Sequence, residues 1–180
     1  MVVIDTSSLS RLVQYYLPFD NDLILFNFFK KKIEKEEIII IDKVWEECCY
    51  VSGKIIANTL PYLKEYAHKT ESILPYPQFF HYAENDFWNP VARKKLSNEE
   101  KGIEKQKFLE GADAKLLLYC KQKSDLFGEL RIVTEETEGS NDNKFFKKIP
   151  TLCRTLDLPI PITLPQLFKE YGLEIKFAGK

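Results

Sequence analysis

Apolar residues in this chain fall into short continuous runs, separated by stretches in which they recur at helical spacing. Val2 to Ile4 form one such run and end at Asp5; Thr-Ser-Ser follows, then Leu9, Leu12, Val13 and Tyr16 at helical intervals. That order reads as strand, cap and helix, and it leaves Asp5 at the carboxyl end of a strand. A second helix is predicted over residues 22–32. Ile38–Ile41 is continuous rather than alternating, as suits a strand buried on both faces of a parallel sheet. Asp42 is placed to cap the helix after it.

That next helix is expected to carry Val44, Cys48, Val51 and Ile55 on one stripe. Glu47 falls within the stripe, whereas Glu46 has Asp42 and Tyr50 as its four-apart neighbours and faces outward. A carboxylate on the buried side needs a reason. Residues 58–106 contain Pro61, Pro75, Pro77 and Pro90 and an aromatic-dense stretch at 76–88; they read as a helix, an irregular segment and a polar lead-in. A helix over 111–123 puts Leu109, Ala112, Leu116, Leu117 and Cys120 on its apolar side, with Asp113 on that side near the amino end. A buried strand at 130–134 ends in Glu135 and Glu136, and Glu136 shares a strand face with Ile132 and Thr134. After a Gly/Ser/Asn turn region come a helical piece at 151–156, a short strand at 159–162 and a closing helix at 164–171.

Strands alternating with helices define the expected fold class as α/β, a three-layer α/β/α sandwich around a central parallel sheet. In such sheets, sites form outside the carboxyl ends of the strands at a switch point. Simple topology brings Asp5, Glu47 and Asp113 toward that edge, and Glu136 can turn to the same place. At 180 residues and 44% hydrophobic content, the chain is sized for one sizeable core, so residues 1–180 are expected to form one domain, with an insertion at about 58–106.

Charge narrows the partners. With 26 Lys+Arg against 27 Asp+Glu, no global field draws the chain to nucleic acid or to an anionic membrane, so any such site is a local patch. Lys30 to Lys32, Arg93 to Lys95, and Lys144 with Lys147 and Lys148 are the basic clusters; the last follows Glu136 closely and is the preferred substrate-backbone contact. Most such runs are solvated faces. Tyr76, Phe79, Phe80, Tyr82, Phe87 and Trp88 suit unpaired-base stacking, although core packing is the better expectation for most of them. The four cysteines, Cys48, Cys49, Cys120 and Cys153, make no CxxC pair and fit a reducing, cytoplasmic setting. No apolar run is long enough to span a bilayer.

Each odd carboxylate has an ordinary explanation: Asp5 as a helix cap, Glu47 as a partly exposed side chain, Asp113 as a favourable charge in a first helical turn, Glu136 as loop solvation. Four acids converging without an obvious Arg or Lys partner nearby in sequence would raise one another's pKa and destabilise the fold. A divalent cation resolves this, and oxygen ligands without paired histidine or cysteine favour Mg²⁺ or Mn²⁺ over Zn²⁺ or copper. His68 and His81 lie far in sequence from the acids and read as surface or packing residues, which argues against a histidine-driven ribonuclease. No Gly-rich phosphate loop or dinucleotide fingerprint follows a strand.

In order and approximate spacing, Val-Val-Ile-Asp-Thr-Ser-Ser-Leu, the Val-Trp-Glu-Glu-Cys helix, Gly-Ala-Asp-Ala and Ile-Val-Thr-Glu-Glu resemble the four acidic motifs of the PIN-domain nucleases. Lys-Ile-Pro-Thr-Leu-Cys-Arg-Thr-Leu with Leu-Pro-Gln-Leu-Phe resembles the closing segment of a less characterised branch of that superfamily. The likeness covers both ends of the chain and not the aromatic middle. It implies Asp5, Glu47, Asp113 and Glu136 as catalytic metal ligands, with Thr6 and Thr134 as supporting hydroxyls; the fourth position is usually Asp in the family and is Glu here. The implied activity is metal-dependent hydrolysis of RNA, by a stand-alone nuclease or by the toxin of a toxin–antitoxin pair, with an antitoxin partner and a homodimer as possible assemblies. The alternatives are a silent PIN-like interaction module and a metal-dependent DNA or 5′ nuclease.

Overall fold

The computed structural model describes residues 1–138 and 144–173. The Gly/Ser/Asn turn expected after Glu136 lies outside the described residues. The fold begins with β1 (Val2–Ile4), α1 (Thr6–Arg11), which runs on into a π-helical turn over Leu12–Tyr16, α2 (Ile24–Glu34) and β2 (Ile38–Ile41). Then come α3 (Asp42–Cys48), α4 (Ile55–Thr59), α5 (Leu63–Tyr66) and β3 (Ala67–His68). The middle of the chain forms α6 (Pro77–Asn85), α7 (Pro90–Arg93) and α8 (Asn98–Glu110), leading into α9 (Ala112–Phe127). β4 (Arg131–Val133), α10 (Ile149–Thr155) and α11 (Leu164–Glu170) complete it.

The strands form one parallel sheet in the order β3-β2-β1-β4. Val2 pairs with Ile38 on one side and Arg131 on the other, and Ile41 pairs with His68 at the β3 edge. Every residue of β1 and β2 is buried, so helices must cover both faces of the central strands. The chain moves outward from β1 to β2 to β3 and then returns across β1 to β4. Connections from adjacent β1 and β4 therefore leave in opposite senses, and a crevice opens outside their carboxyl ends.

Three expectations are corrected. Val51 and Ile55 do not continue the buried stripe of Val44 and Cys48. The helix stops at Cys48, because Ser52, Gly53 and Lys54 all take left-handed backbone angles, and Ile55 restarts as α4 with its side chain 37% exposed. Asp42 is the first residue of α3 rather than the residue before it. Its buried carboxylate accepts from Lys43 N and ties down Thr70, from Thr70 Oγ1 at 2.6 Å and Thr70 N at 3.1 Å. The strand expected at 159–162 is a single parallel bridge, Ile162 to Val133, held by Thr134 N–H to Ile162 O and Ile162 N–H to Ile132 O, both 2.9 Å.

The middle segment is not a loose insertion. It supplies the edge strand β3, and its aromatics line up as Phe79 on Phe87, Phe87 on Phe108 and Phe108 stacked on Phe146 at 4.2 Å, with Trp88 also against Phe146. Phe79, Phe87 and Trp88 are buried, so core packing claims them, while Phe80 stays exposed. Backbone bonds from Asn89 N–H to Phe145 O and from Lys147 N–H to Phe87 O, each 2.8 Å, fasten the 145–147 segment to this cluster.

Candidate functional site

Asp5 follows β1 directly, and its N–H bonds Val133 O at 2.9 Å, extending the β1–β4 ladder by one residue. Its carboxylate is buried and caps α1. Oδ2 accepts from Ser7 Oγ at 2.6 Å, Thr134 Oγ1 at 3.0 Å and Ser7 N at 3.3 Å. Capping and facing the crevice are thus one arrangement. Burial raises the Asp5 pKa, the Ser7 hydroxyl opposes this, and repulsion from Glu136 adds to the rise.

Glu47 projects inward from α3 and accepts from Thr6 Oγ1 at 2.6 Å. Glu46 is exposed and bonds Lys43 at 2.7 Å, so helical phase separates the two members of the doublet as expected. Burial, then repulsion from Asp5 and Glu136, raises the Glu47 pKa against the Thr6 hydrogen bond and the nearby Lys144.

Asp113 occupies the first turn of α9, just past the break at Gly111, where a side chain would bring its Cβ to 3.2 Å from Lys107 O. Burial and repulsion from Asp5, Glu136 and Glu47 push its pKa up to about 7, with Lys144 pulling the other way. It opens onto a cleft of roughly 400 Å³ that Lys107, Phe108, Lys144, Phe145 and Phe146 also line.

Glu136 leaves the end of β4 with its N–H on Thr134 Oγ1 at 3.2 Å. Its carboxylate accepts from Lys144 Nζ at 2.5 Å and from Ile149 N, at the start of α10, at 2.9 Å. Glu135 turns elsewhere, to the N–H of Leu164 at the head of α11, so this doublet is also resolved. About half of the Lys144 side chain is exposed. Its partial desolvation favours the neutral amine, but Asp113, Glu136 and Asp5 outweigh that and raise its pKa. Lys147 and Lys148 are partly buried a few residues on.

The four sequence-selected acids therefore lie near enough to repel one another, with Thr6 bonded to Glu47 and Thr134 to Asp5. Ser7 was not among the candidates. Its hydroxyl links Asp5, Thr134 and the Glu135 N–H, and the signal was present in an Asp followed two residues later by Ser, the pattern of an Asx turn. Both histidines lie apart from the acids: His68 bonds Tyr119 OH at 2.7 Å, and His81 is exposed on α6. The four cysteines are free. Among the described residues, no three acid, imidazole or thiol groups stand close enough to cage one ion as they are, and no helix is long and apolar enough to cross a membrane.

Fold and site together define a single-domain α/β protein with an acidic crevice at the switch point of a four-stranded parallel sheet. Residues 2–175 match the family described as a domain of unknown function, DUF4411, and the chain belongs to that family. No curated protein and no solved structure matches it.

Proposed function

We propose that this protein is a PIN-like, metal-dependent nuclease that hydrolyses RNA phosphodiester bonds. The observation that carries the proposal is the gathering of Asp5, Glu47, Asp113 and Glu136, from four separate segments, around the β1–β4 crevice, where burial and mutual repulsion raise the pKa of three of them. Such a cluster costs stability unless it serves to hold a cation. All four donors are hard carboxylate oxygens, the chemistry of Mg²⁺ or Mn²⁺ sites. A divalent ion there would supply an activated water and charge neutralisation at the phosphate. The chain's own residues do the rest. Thr134 and Ser7 hold Asp5 in one orientation, Thr6 holds Glu47, and the cleft beside Asp113, lined by Lys107 and Lys144, offers room for the substrate backbone, with Lys147 and Lys148 following a few residues on in the chain. The choice of RNA over DNA, and an antitoxin partner or a homodimer, follow from the resemblance to PIN-domain nucleases.

The test is incubation of purified protein with labelled single-stranded RNA and DNA in Mn²⁺, Mg²⁺ or EDTA. Cleavage of RNA that EDTA abolishes, and that Asp113→Asn lowers by at least about 100-fold without unfolding the chain, is the expected result. Cutting that persists in EDTA overturns it.

A second reading, a PIN-like module that acts through binding alone, draws on two observations: among the described residues the acids do not form a ready-made cage, and Lys144 is already paired with Glu136. Absence of cleavage together with absence of Mn²⁺ binding would favour it.

A further inference from the structure

We propose that Lys144 is a built-in counter-cation of the carboxylate crevice that competes with the divalent ion for it and, when the ion binds, is released into the adjacent cleft to meet the substrate phosphate. This rests on the nuclease proposal and adds a control element to the same site.

Two features of the geometry carry it. First, Lys144 Nζ lies 2.5 Å from Glu136 Oε1, and the same residue lines the cleft with Asp113. One side chain thus borders both the metal-side acids and the space open to substrate. Second, the residues that follow it are fastened to the rest of the fold. Phe145 O accepts from Asn89 N–H, Lys147 N–H donates to Phe87 O, and Phe146 stacks between Phe108 and Trp88. Ile149 N–H holds the other oxygen of Glu136. With the residues after it held, rotation of the Lys144 side chain is all that is needed to carry the ammonium from carboxylate to cleft. The aromatic middle of the chain, outside the PIN-like resemblance, builds that anchorage.

The physical logic is charge exchange. Metal-free, one lysine partly offsets the cluster; a divalent ion offsets it better and repels the ammonium at short range. Removing the lysine charge should therefore tighten metal binding, whereas a residue that only touched substrate would leave metal affinity alone.

The experiment is Mn²⁺ titration by calorimetry, without nucleic acid, of wild type, Lys144→Met and Lys144→Arg. In parallel, each Mn²⁺-loaded protein is tested for binding of a short non-cleavable phosphorothioate RNA. Lys144→Met should bind Mn²⁺ roughly tenfold tighter, given one unit charge removed near a partly buried ion, and should bind RNA more weakly. Lys144→Arg should stay near wild type in both. Equal or weaker Mn²⁺ affinity in a folded Lys144→Met, while wild type binds Mn²⁺, overturns the proposal and leaves the nuclease reading standing. Tighter Mn²⁺ binding with undiminished RNA binding overturns the release step. No Mn²⁺ binding by any of the three overturns both proposals.

Discussion

Glu46 and Glu47 are chemically equivalent and adjacent, yet one bonds a surface lysine and the other takes the Thr6 hydroxyl inside the crevice. Glu47→Gln should therefore abolish cleavage, a loss of at least about 100-fold, while Glu46→Gln should leave the rate within about twofold. Rate measurements on the two variants decide it; the opposite ranking would place the second ligand on the outer face. Asp113 gives a pH prediction. Its folded pKa, about 7, lies above its ordinary value of 3.8, so the folded state binds its proton more tightly than the unfolded state. The stabilising contribution is fully present below the unfolded pKa and is lost as pH rises through about 7. Metal-free wild type should thus lose more stability than Asp113→Asn between pH 4 and 8, and the variant should be the more stable protein at pH 8 by upward of about 1 kcal/mol, one pKa unit being worth about 1.4 kcal/mol. Parallel melting curves for both proteins that show no convergence toward low pH would contradict this. All four acids were legible in the sequence because each sits at a strand end or on a helix phase that periodicity reports. Ser7 and the Lys144–Glu136 pair were not. A hydroxyl two residues from its acceptor looks like any polar cap, and an ion pair between residues eight positions apart has no periodic signature.

At the scale of elements, the clearest departure from periodicity is the break after α3. The spacing of Val44, Cys48, Val51 and Ile55 describes one continuous helix, but Ser52, Gly53 and Lys54 carry φ values of 51°, 65° and 65°. Only one of the three is glycine, so hydrophobic spacing alone missed the stop. The left-handed region costs a residue bearing Cβ about 1–2 kcal/mol. Nothing lies within 4 Å of a Cβ placed on Gly53. Gly53→Ala should therefore destabilise the chain by about 1 kcal/mol through backbone strain alone, and Lys54→Gly should stabilise it by a few tenths, part of the relief being returned as unfolded-state entropy. Urea unfolding of both variants tests this; a loss on Lys54→Gly would mean that its side chain contributes packing. The two-residue β3 escaped notice for a different reason. Two residues carry no alternation to detect, and β3 is recruited by pairing with Ile40 and Ile41. β1 and β2 were legible because central parallel strands must be apolar on both faces, and β4, at the other edge, because Ile132 and Val133 are a buried apolar pair.

For the whole molecule, the sheet order turns separated acids into one site. β1 lies between β2 and β4, so Asp5 at its carboxyl end meets Thr134 and Glu136 from the far end of the sequence, while α3 and α9, packed against each other, bring in Glu47 and Asp113. The α/β class and the parallel sheet were legible because alternating strands and helices admit few arrangements, whereas the strand order and the anchoring of 145–147 by the aromatic middle depend on contacts between segments far apart in sequence. The site should consequently report on the global stability of the fold. Asp5 is buried with its pKa raised, so without metal its charge opposes folding at neutral pH. Asp5→Asn keeps an oxygen able to accept from Ser7 and Thr134, and should raise metal-free stability at pH 7 by about 1.4 kcal/mol for each pKa unit relieved. An ion that binds only the folded chain adds about 2.7 kcal/mol at a hundredfold excess over its dissociation constant, and the added stability follows the ion's affinity. Mn²⁺ should therefore raise the melting temperature of wild type clearly and that of Asp5→Asn much less, reversing the order of the two proteins between EDTA and saturating Mn²⁺. Four melts, two proteins each with and without Mn²⁺, measure both effects at once. Equal Mn²⁺ shifts in both would show that Asp5 does not bind the ion and that the crevice gathers its acids for some other purpose.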